Sequence, residues 1–310
     1  MRAAVTCLHL QRDIERYRSM FDDAGVEVVL PDVPGQELAG DELVAAMAGI
    51  DGVVAGDDRF DVAVLDALAD LKVISKWGIG LDGIDLPAAA ERGIVVTNTP
   101  GVFGHEVAEQ ALGYLITLVR GQHLVDRGVR AGGWPKPVGR SLSSLTACVL
   151  GLGNIGRTLV EKLQALGLTV TGVDPAPDAA GWCASMAVRH GELADLVPEA
   201  DVLIVTAPLN DHTRGMVDAT IIGAMPKGSW LINVGRGPVV RGEAVADALS
   251  SGHLAGAALD VFEEEPLGDS ILKEFPNVIL GSHNASNTEE ACQRTHVRAI
   301  ENLLQGLGRA

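Results

Sequence analysis

The chain has 310 residues, enough for two domains, and 47% of them are hydrophobic, which supports a sizeable core. Its formal net charge is −17, with 41 acidic against 24 basic residues, which disfavours nucleic acids and anionic membranes as partners. No apolar run is long enough to cross a bilayer, and the amino-terminal one is too short for a signal peptide. The four cysteines show neither C-x-x-C nor metal-ligand spacing, so we expect no metal and a reduced, cytoplasmic chain.

The segment before residue 98 alternates short apolar strands with helices, a rhythm typical of a parallel α/β sheet. We predict strands at 3–8, 26–30, 52–55, 72–75 and 94–97, and helices at 13–24, 40–48 and 62–68. This segment has no glycine-rich phosphate loop, so we expect it to serve a purpose other than dinucleotide binding.

A short glycine turn, with the sequence Lys76-Trp77-Gly78-Ile79-Gly80-Leu81-Asp82, directly follows the fourth of these strands. Ligands of open α/β sheets bind beyond the carboxyl ends of the strands. Backbone N–H groups of the turn, together with the positive charge of Lys76, would suit a carboxylate. The alternative is an ordinary glycine turn with a solvated lysine.

The chain breaks at Asn98-Thr99-Pro100-Gly101, and we place the crossing between the two domains there. A long helix with one apolar face is predicted at 106–119. The following segment, 120–140, is locally basic, and its glycines and prolines exclude a helix throughout. Two interpretations remain open for it, an extended arm that packs on a second subunit and a solvated surface loop.

The stretch 149–174 combines a strand, a tight glycine turn, an amphipathic helix, a second strand and an acidic residue. Gly151, Gly153 and Gly156 form G-x-G-x-x-G, whose glycines allow the tight turn, close ligand approach and close helix packing, respectively. The helix N-terminus offers free N–H groups and the positive end of the helix dipole to a pyrophosphate. Asp174 can accept hydrogen bonds from both hydroxyls of an adenosine ribose and would repel a 2′-phosphate. The stretch therefore predicts dinucleotide binding, with NAD favoured over NADP.

The α/β rhythm continues after Asp174. Strands are predicted at 201–206, 229–234, 256–260 and 278–280, and helices at 243–250 and 289–304, the last crossing back to cover the first domain. Three of these strands are followed by Arg236, Glu265 and His283. In a parallel sheet their carboxyl ends share the edge of the glycine turn, so we expect the three side chains to converge near the nicotinamide.

Each of these three residues has an ordinary explanation alone, as a turn arginine, a solvated acid or a hydrogen-bonded histidine at a strand end. Together they match what hydride transfer to a 2-oxo acid requires. An imidazolium can deliver the proton to oxygen near neutral pH, and a carboxylate on its other nitrogen would hold the tautomer and favour the charged form. A guanidinium can bind the substrate carboxylate and polarise the carbonyl.

Five motifs, in order along the chain, resemble those of the D-isomer-specific 2-hydroxyacid dehydrogenases, the family of phosphoglycerate, glycerate and D-lactate dehydrogenases. They are Gly78-Ile79-Gly80-Leu81-Asp82, the GLGNIG loop with Asp174, Asn233-Val234-Gly235-Arg236-Gly237, Asp260-Val261-Phe262-Glu263-Glu264-Glu265-Pro266, and His283. The resemblance covers nearly the whole chain. It implies that Arg236, Glu265 and His283 are the catalytic residues, with Glu265 paired to His283, and that Asp260 contacts the nicotinamide amide.

The resemblance also implies two Rossmann-like/flavodoxin-like parallel-sheet domains, the substrate domain being discontinuous at 1–98 plus 286–310. The NAD-binding Rossmann domain is then 99–285, and an arm at 120–146 would make the protein a homodimer. The implied substrate-binding residues are Lys76, Gly78, Ile79, Gly80 and Arg236. The implied cofactor-binding residues are Gly151, Gly153, Asn154, Ile155, Asp174, Ala207, Pro208, Val234, Asp260 and His283.

Some positions depart from the family pattern. Ser282 and Asn284 flank the histidine where the family often has Pro and then Gly or Ala, and Thr206 stands where many members have His. Lys76 replaces an arginine of the phosphoglycerate enzymes. In the loop Gly56-Asp57-Asp58-Arg59, two acids would repel a phosphate, although the arginine could compensate.

The expected function is therefore NAD-dependent hydride transfer between a small 2-oxo acid and its 2-hydroxy acid. One alternative is a reductase of a phospho- or phosphono-2-oxo acid. The other, from a different class, is a non-catalytic NAD-sensing protein similar to the co-repressors that share this fold.

Overall fold

The computed structural model describes residues 1–35 and 37–309, which form two compact units. One comprises Met1–Val102 with Thr288–Ala310, and the other comprises Phe103–Asn287. Each has its own parallel sheet, so the predicted fold class of two parallel α/β domains, the first discontinuous, is confirmed. Across the described ranges, no helix has the length and apolar character needed to cross a bilayer. Those same ranges contain no cluster of three or more His, Cys, Asp or Glu side chains that could hold a metal ion.

Five parallel strands form the sheet of the first unit: β1 (Arg2–Val5), β2 (Glu27–Val29), β3 (Gly52–Ala55), β4 (Val73–Lys76) and β5 (Val95–Thr97). The helices that connect them are α1 (Leu8–Asp23), α2 (Gly40–Ala46), α3 (Val62–Ala67) and α4 (Leu86–Glu91). The spatial order β2-β1-β3-β4-β5 is flavodoxin-like. Ala55 is in register with Lys76, so the carboxyl ends of β3 and β4 lie side by side.

Seven parallel strands form the sheet of the second unit: β6 (Thr146–Leu150), β7 (Thr169–Val173), β8 (Arg189–His190), β9 (Val202–Val205), β10 (Ser229–Asn233), β11 (Leu254–Leu259) and β12 (Val278–Leu280). Its helices are α5 (Gly104–Arg120), α6 (Gln122–Arg130), α7 (Asn154–Ala165), α8 (Ala179–Ser185), α9 (Leu193–Leu196), α10 (Ala219–Ala224) and α11 (Gly242–Ser250). Short 3-10 turns lie at Leu142–Ser144, Val197–Glu199, Gly237–Val239 and Ile271–Glu274. Helix α12 (Glu289–Gly306) belongs to the first unit.

The strand order of the second sheet sets the position of its ligand crevice. The order is β12-β11-β10-β9-β6-β7-β8. Successive strands are added outward from β6 in one direction up to β8 and from β9 in the other, so the strand order reverses between β6 and β9. Both strands are buried along nearly their whole length, as expected for a parallel sheet covered by helices on both faces. Ligands of such sheets bind beyond the carboxyl ends at the reversal point, which here is next to Gly151.

The first helix begins earlier than the sequence predicts. Strand β1 ends at Val5 rather than at residue 8, and α1 starts at Leu8 rather than at residue 13. Leu10, Ile14, Tyr17 and Phe21 are all buried at helical spacing. The helical pattern thus extends back into an apolar run that, by itself, also fits a strand.

Helix α12 covers the sheet of the first unit. Ala299, Ile300 and Leu303 are fully buried. The Ser75 hydroxyl donates to the Ala299 carbonyl oxygen at 2.7 Å, and Trp77 Nε1 donates to His296 Nδ1 at 2.9 Å. These buried side chains make the helix part of the hydrophobic core of the first unit. Burying one leucine or isoleucine side chain contributes roughly 1.5–3 kcal/mol to stability.

Buried His296 predicts a pH-dependent stability. Burial lowers the pKa of His296 to about 4, whereas a histidine of the unfolded chain titrates near pH ~6.5. Between these values the unfolded chain binds the extra proton, so the free energy of unfolding falls as the pH decreases, by up to about 1.4 kcal/mol per unit. Urea unfolding across this range should show the slope in the wild type and a shallower one in His296→Gln. The exposed residue His212 supplies the control, His212→Gln. Equal slopes in all three proteins would contradict the prediction.

The segment 120–140 is helical in its first half. Helix α6 spans Gln122–Arg130, so these residues form neither the extended arm nor the loop that the sequence left open. The helix stops before Gly132, whose φ of 82° lies in the left-handed region. Beyond it the chain is exposed and carries two apolar side chains, Trp134 and Val138, which expose 78% and 101% of their surface.

Candidate functional site

The turn between β6 and α7 gives each of its three glycines a separate task. Gly151 has a φ of 99°, and a Cβ there would lie 2.7 Å from the Ala207 amide nitrogen. A Cβ at Gly156 would overlap the Gly151 carbonyl oxygen, so α7 can approach the turn this closely only with glycine. A Cβ at Gly153 would meet nothing within 4 Å. The open space at Gly153 is where a ligand could approach the backbone.

Helix α7 directs its N-terminus toward this open space. It begins at Asn154, and no side chain of the described residues caps it. Its first N–H groups therefore remain available to an anion, together with the positive end of the helix dipole. Asn154 is exposed and Ile155 is half-buried. This arrangement fits the pyrophosphate of a dinucleotide.

Asp174 is held beside the glycine turn by the backbone. Its Oδ2 accepts from the Leu152 N–H at 2.6 Å, and its Oδ1 accepts from the Ala176 N–H at 2.8 Å. Each carboxylate oxygen retains acceptor capacity for a further donor. The two backbone bonds fix the carboxylate in place. Its negative charge suits the ribose hydroxyls of NAD and disfavours the 2′-phosphate of NADP.

The other predicted cofactor residues gather around the same turn. Ala207 follows β9 and is buried, whereas the next residue, Pro208, is exposed. Val234 follows β10 and is buried. A Cβ at Gly235 would lie 2.7 Å from the Ala207 carbonyl oxygen, so the loops after β9 and β10 are in close contact.

Arg236 lies in a loop whose shape is fixed by Asn233 at the end of β10. The Asn233 Oδ1 accepts from the Gly235 N–H at 3.1 Å, and its Nδ2 donates to the Arg236 carbonyl oxygen at 3.1 Å. Arg236 Nη1 donates to the Gly235 carbonyl oxygen at 2.9 Å. A Cβ at Gly237 would overlap the Phe262 carbonyl oxygen, so this loop packs directly on the loop after β11.

His283 and Glu265 form a hydrogen-bonded pair at the carboxyl edge of the second sheet. His283 Nδ1 lies 2.8 Å from Glu265 Oε2. The second oxygen, Oε1, accepts from the Phe262 N–H at 2.9 Å, which orients the carboxylate. A carboxylate on Nδ1 stabilises the protonated imidazole, and Nε2 is then the nitrogen that can exchange a proton with a ligand.

Asp260 supports the histidine through the backbone. This carboxylate is buried, and its Oδ2 accepts from the Ala285 N–H at 2.9 Å. Its backbone carbonyl oxygen accepts from the His283 N–H at 2.7 Å. Asp260 therefore anchors the loop that carries the histidine.

Tyr114 completes the surroundings of Asp260, and sequence reasoning did not find it. Its hydroxyl donates to Asp260 Oδ1 at 2.9 Å. Burial, together with the nearby Asp260 charge, raises the pKa of Tyr114, so the hydroxyl stays protonated and donates. The sequence feature that could have indicated its role is the polar hydroxyl that Tyr114 places on the otherwise apolar face of the predicted helix.

The loop of His283 depends on a glycine two residues before it. His283 itself has a φ of 54°, an uncommon conformation for a residue other than glycine. A Cβ at Gly281 would lie 2.6 Å from the Tyr114 hydroxyl and would overlap Asp260 Oδ1. Only glycine therefore fits between the loop and its buried support.

Gly281→Ala is expected to lower stability by about 1–3 kcal/mol, because the added methyl group must displace Asp260 or Tyr114. Thermal unfolding should show the loss. Gly268→Ala is the matched control, since a Cβ there would meet nothing within 4 Å. A Gly281→Ala protein as stable as this control would contradict the geometry of the loop.

In the predicted anion-binding turn of the first unit, several polar groups already bond to other groups of the protein. Lys76 is buried, and its Nζ lies 2.8 Å from Asp57 Oδ1. The Gly78 N–H donates to the Thr99 hydroxyl at 3.1 Å, and the Ile79 carbonyl oxygen accepts from Asn98 Nδ2 at 2.7 Å. The Gly78 N–H is thus already bonded to Thr99, which follows β5. The turn continues through Gly80, which is half-buried.

Comparisons with known proteins identify the family of the chain. The family described as "D-isomer specific 2-hydroxyacid dehydrogenase, NAD binding domain" matches residues 112–285. A glyoxylate reductase of Thermofilum pendens is 38% identical over 80% of this chain and 75% of that protein. The D-3-phosphoglycerate dehydrogenase of Rattus norvegicus is 34% identical over 89% of this chain, which spans only 52% of the rat protein.

A solved structure extends the likeness to nearly the full length of the chain. It is an NADPH-dependent glyoxylate/hydroxypyruvate reductase of Sinorhizobium meliloti in complex with NADP and malonate, 31% identical, with a TM-score of 0.82 over 97% of this chain and 92% of that one. The glycine turn, Asp174 and the histidine–carboxylate pair all lie within the residues that match the family. The chain belongs to the D-isomer-specific 2-hydroxyacid dehydrogenases, with NAD as its cofactor and oxidoreduction of a CH–OH group as its chemistry.

Proposed function

We propose that the protein is an NAD-dependent reductase of small 2-oxo acids that also catalyses the reverse oxidation of D-2-hydroxy acids. The observation that carries this proposal is the 2.8 Å pair of His283 Nδ1 and Glu265 Oε2 at the carboxyl edge of the NAD-binding sheet. A histidine supported in this way is suited to deliver a proton when a carbonyl is reduced and to remove one when an alcohol is oxidised.

The proton is exchanged at His283 Nε2, because Nδ1 is bonded to Glu265. Glu265 stabilises the imidazolium before the proton leaves, and the Phe262 N–H keeps the carboxylate in position. NADH, when bound, supplies the hydride. Gly153, the N-terminus of α7 and Asp174 would hold its pyrophosphate and ribose, and Asp260 would contact the nicotinamide amide.

The substrate carboxylate is proposed to bind Arg236, Lys76 and the backbone of the 78–80 turn. A guanidinium offers two parallel donors that match the two oxygens of a carboxylate. A bound carboxylate would thereby be held in a fixed orientation. Of the three turn amides, those of Ile79 and Gly80 are the better candidates, since that of Gly78 already donates to Thr99.

We further propose glyoxylate or hydroxypyruvate as substrates. Support comes from the named activities of the Thermofilum and Sinorhizobium proteins. The rat relative is named for a phosphorylated hydroxy acid, which keeps a phospho-2-oxo acid as the second candidate. These relatives are named as reductases and dehydrogenases, so they lend no support to a binding-only, co-repressor-like role.

A substrate screen tests the proposal. NADH oxidation is followed with glyoxylate, hydroxypyruvate, phosphohydroxypyruvate, phosphonopyruvate and 2-oxoglutarate in turn. We expect the highest kcat/KM with one of the first two, and a lower kcat/KM with NADPH because of Asp174. NADH binding without oxidation of any of these acids would favour the binding-only role.

We also propose that the protein is a cytoplasmic homodimer joined through the arm at 120–146. The exposed apolar side chains Trp134 and Val138 support the interface, because burying them against a second copy would remove apolar surface from water. The four free cysteines suit a reducing compartment. Sedimentation velocity should give twice the mass of the chain, and a single species of one chain's mass would contradict the dimer.

A further inference from the structure

Arg157 connects the glycine turn to the loop that follows β7. It lies in the first turn of α7, and its Nε donates to the Leu152 carbonyl oxygen at 2.8 Å. Its Nη2 donates to Asp178 Oδ2 at 2.6 Å. Asp178 lies at the far end of the loop that begins with Asp174. A single guanidinium therefore bonds the glycine turn and the far end of the next loop.

Three contacts fix the orientation of this guanidinium. Besides its two hydrogen bonds, the Arg157 Cζ lies 5.1 Å from the centre of the Trp182 ring on α8, within the range of a cation–π contact. The Arg157 side chain is 29% exposed, whereas that of Asp178 is 68% exposed. A lysine ammonium could keep the charge, but it could not reproduce two directed bonds from one plane.

Leu152 is held from both of its backbone polar groups. Its N–H donates to Asp174 Oδ2 at 2.6 Å, and its carbonyl oxygen accepts from Arg157. Because the peptide between Leu152 and Gly153 is planar and trans, the bond to the carbonyl also fixes the direction of the Gly153 N–H. A Cβ at Gly153 would meet nothing within 4 Å, so this is the open side of the turn.

We propose that Arg157 is a positioning residue for the adenosine half of NAD. The inference rests on the proposed function, in which Asp174 binds the adenosine ribose. Arg157 acts through Leu152, whose N–H orients the Asp174 carboxylate, and through Asp178, which ends the same loop. A carboxylate held in advance binds the ribose hydroxyls without a further loss of conformational freedom, whereas a mobile one loses affinity to ordering.

Arg157→Lys tests the proposal, because it keeps the positive charge and removes the two-armed bridge. Fluorescence titration compares NADH with its 2′-deoxyadenosine analogue, which lacks one of the hydroxyls assigned to Asp174. The wild type should bind the analogue about ten-fold more weakly than NADH. In Arg157→Lys, NADH should bind about five-fold more weakly than in the wild type, and the two ligands should differ only about two-fold. A general loss of stability would weaken both ligands alike and leave their ratio unchanged.

Arg140→Lys is the matched control. Arg140 also bridges an acid and a carbonyl, since it pairs with Asp201 and its Nη2 donates to the Ser144 carbonyl oxygen at 3.0 Å. Those partners precede β9 and β6, at the opposite edge of the same sheet, so both affinities should stay at their wild-type values. Asp178→Asn, at the exposed end of the bridge, should lower the ratio as well, and combining it with Arg157→Lys should add little.

Two results would overturn the proposal. One is a wild-type ratio that persists in both Arg157→Lys and Asp178→Asn. The other is a wild type that binds the two dinucleotides equally, because Asp174 would then not hold the 2′-hydroxyl. These titrations require no turnover. If the ratios change as expected but no 2-oxo acid is reduced, Arg157 keeps its positioning role and the reductase assignment fails.

Discussion

His283→Ala is expected to lower kcat by about 10²–10⁴-fold while NADH still binds, because the variant loses the positioned proton donor and keeps the dinucleotide turn. Stopped-flow measurement of NADH oxidation gives the rate, and quenching of tryptophan fluorescence gives NADH binding. Unchanged turnover would remove His283 from the chemistry.

The role of Glu265 can be separated from that of its acidic neighbours. Glu265→Gln should lower kcat less than His283→Ala does, because the imidazole remains but its protonated form loses the nearby charge. Glu264→Gln removes the same charge from the adjacent exposed residue and should have little effect. Equal losses in the two glutamine variants would contradict the pairing of Glu265 with His283.

Arg236→Lys is expected to lower kcat/KM by about 100-fold, although the positive charge is retained. A charge-assisted hydrogen bond contributes about 1.5–3 kcal/mol, and lysine cannot reproduce the two parallel donors of a guanidinium. Steady-state kinetics at saturating NADH, with the 2-oxo acid varied, measures the effect.

Arg241→Lys is the matched control for this substitution. Arg241 lies five residues further along, exposed, with Nη1 3.6 Å from Glu263 Oε1. It should tolerate lysine because an exposed ion pair contributes only about 0–1 kcal/mol. Similar kinetics for Arg236→Lys and Arg241→Lys would show that the former does not bind substrate.

The sequence was most informative where backbone geometry demands one residue type. Gly151, Gly153 and Gly156 were assigned different tasks from their spacing, and a Cβ at each position meets a backbone atom, open space and a backbone atom, respectively. Strands β3 and β12 begin and end at the predicted residues, because short apolar runs bounded by turn residues leave little choice. The predicted start of α1 was wrong, since the largely apolar run at 3–10 fits either a strand or a helix.

Local sequence patterns do not predict which residues distant in the chain come into contact. The residues alone could not choose among three consecutive glutamates, and the family resemblance pointed to Glu265, whose side chain bonds His283 in the structure. Tyr114 lies 146 positions before the aspartate that it supports, and nothing near it in the sequence marks that partner. The Asp57–Lys76 pair likewise follows from the pairing of two strands, which spacing along the chain does not reveal.

The placement of α12 has a consequence for how the chain is made. The second unit is continuous in sequence, and all of it is synthesised before residues 289–306, which belong to the first unit. The first unit cannot close its core until that helix arrives, although its five strands emerge first. During translation the apolar surface of the earlier strands therefore stays exposed until the helix is made. Exposed apolar surface of this kind is prone to aggregation, so we expect chaperones to bind this segment.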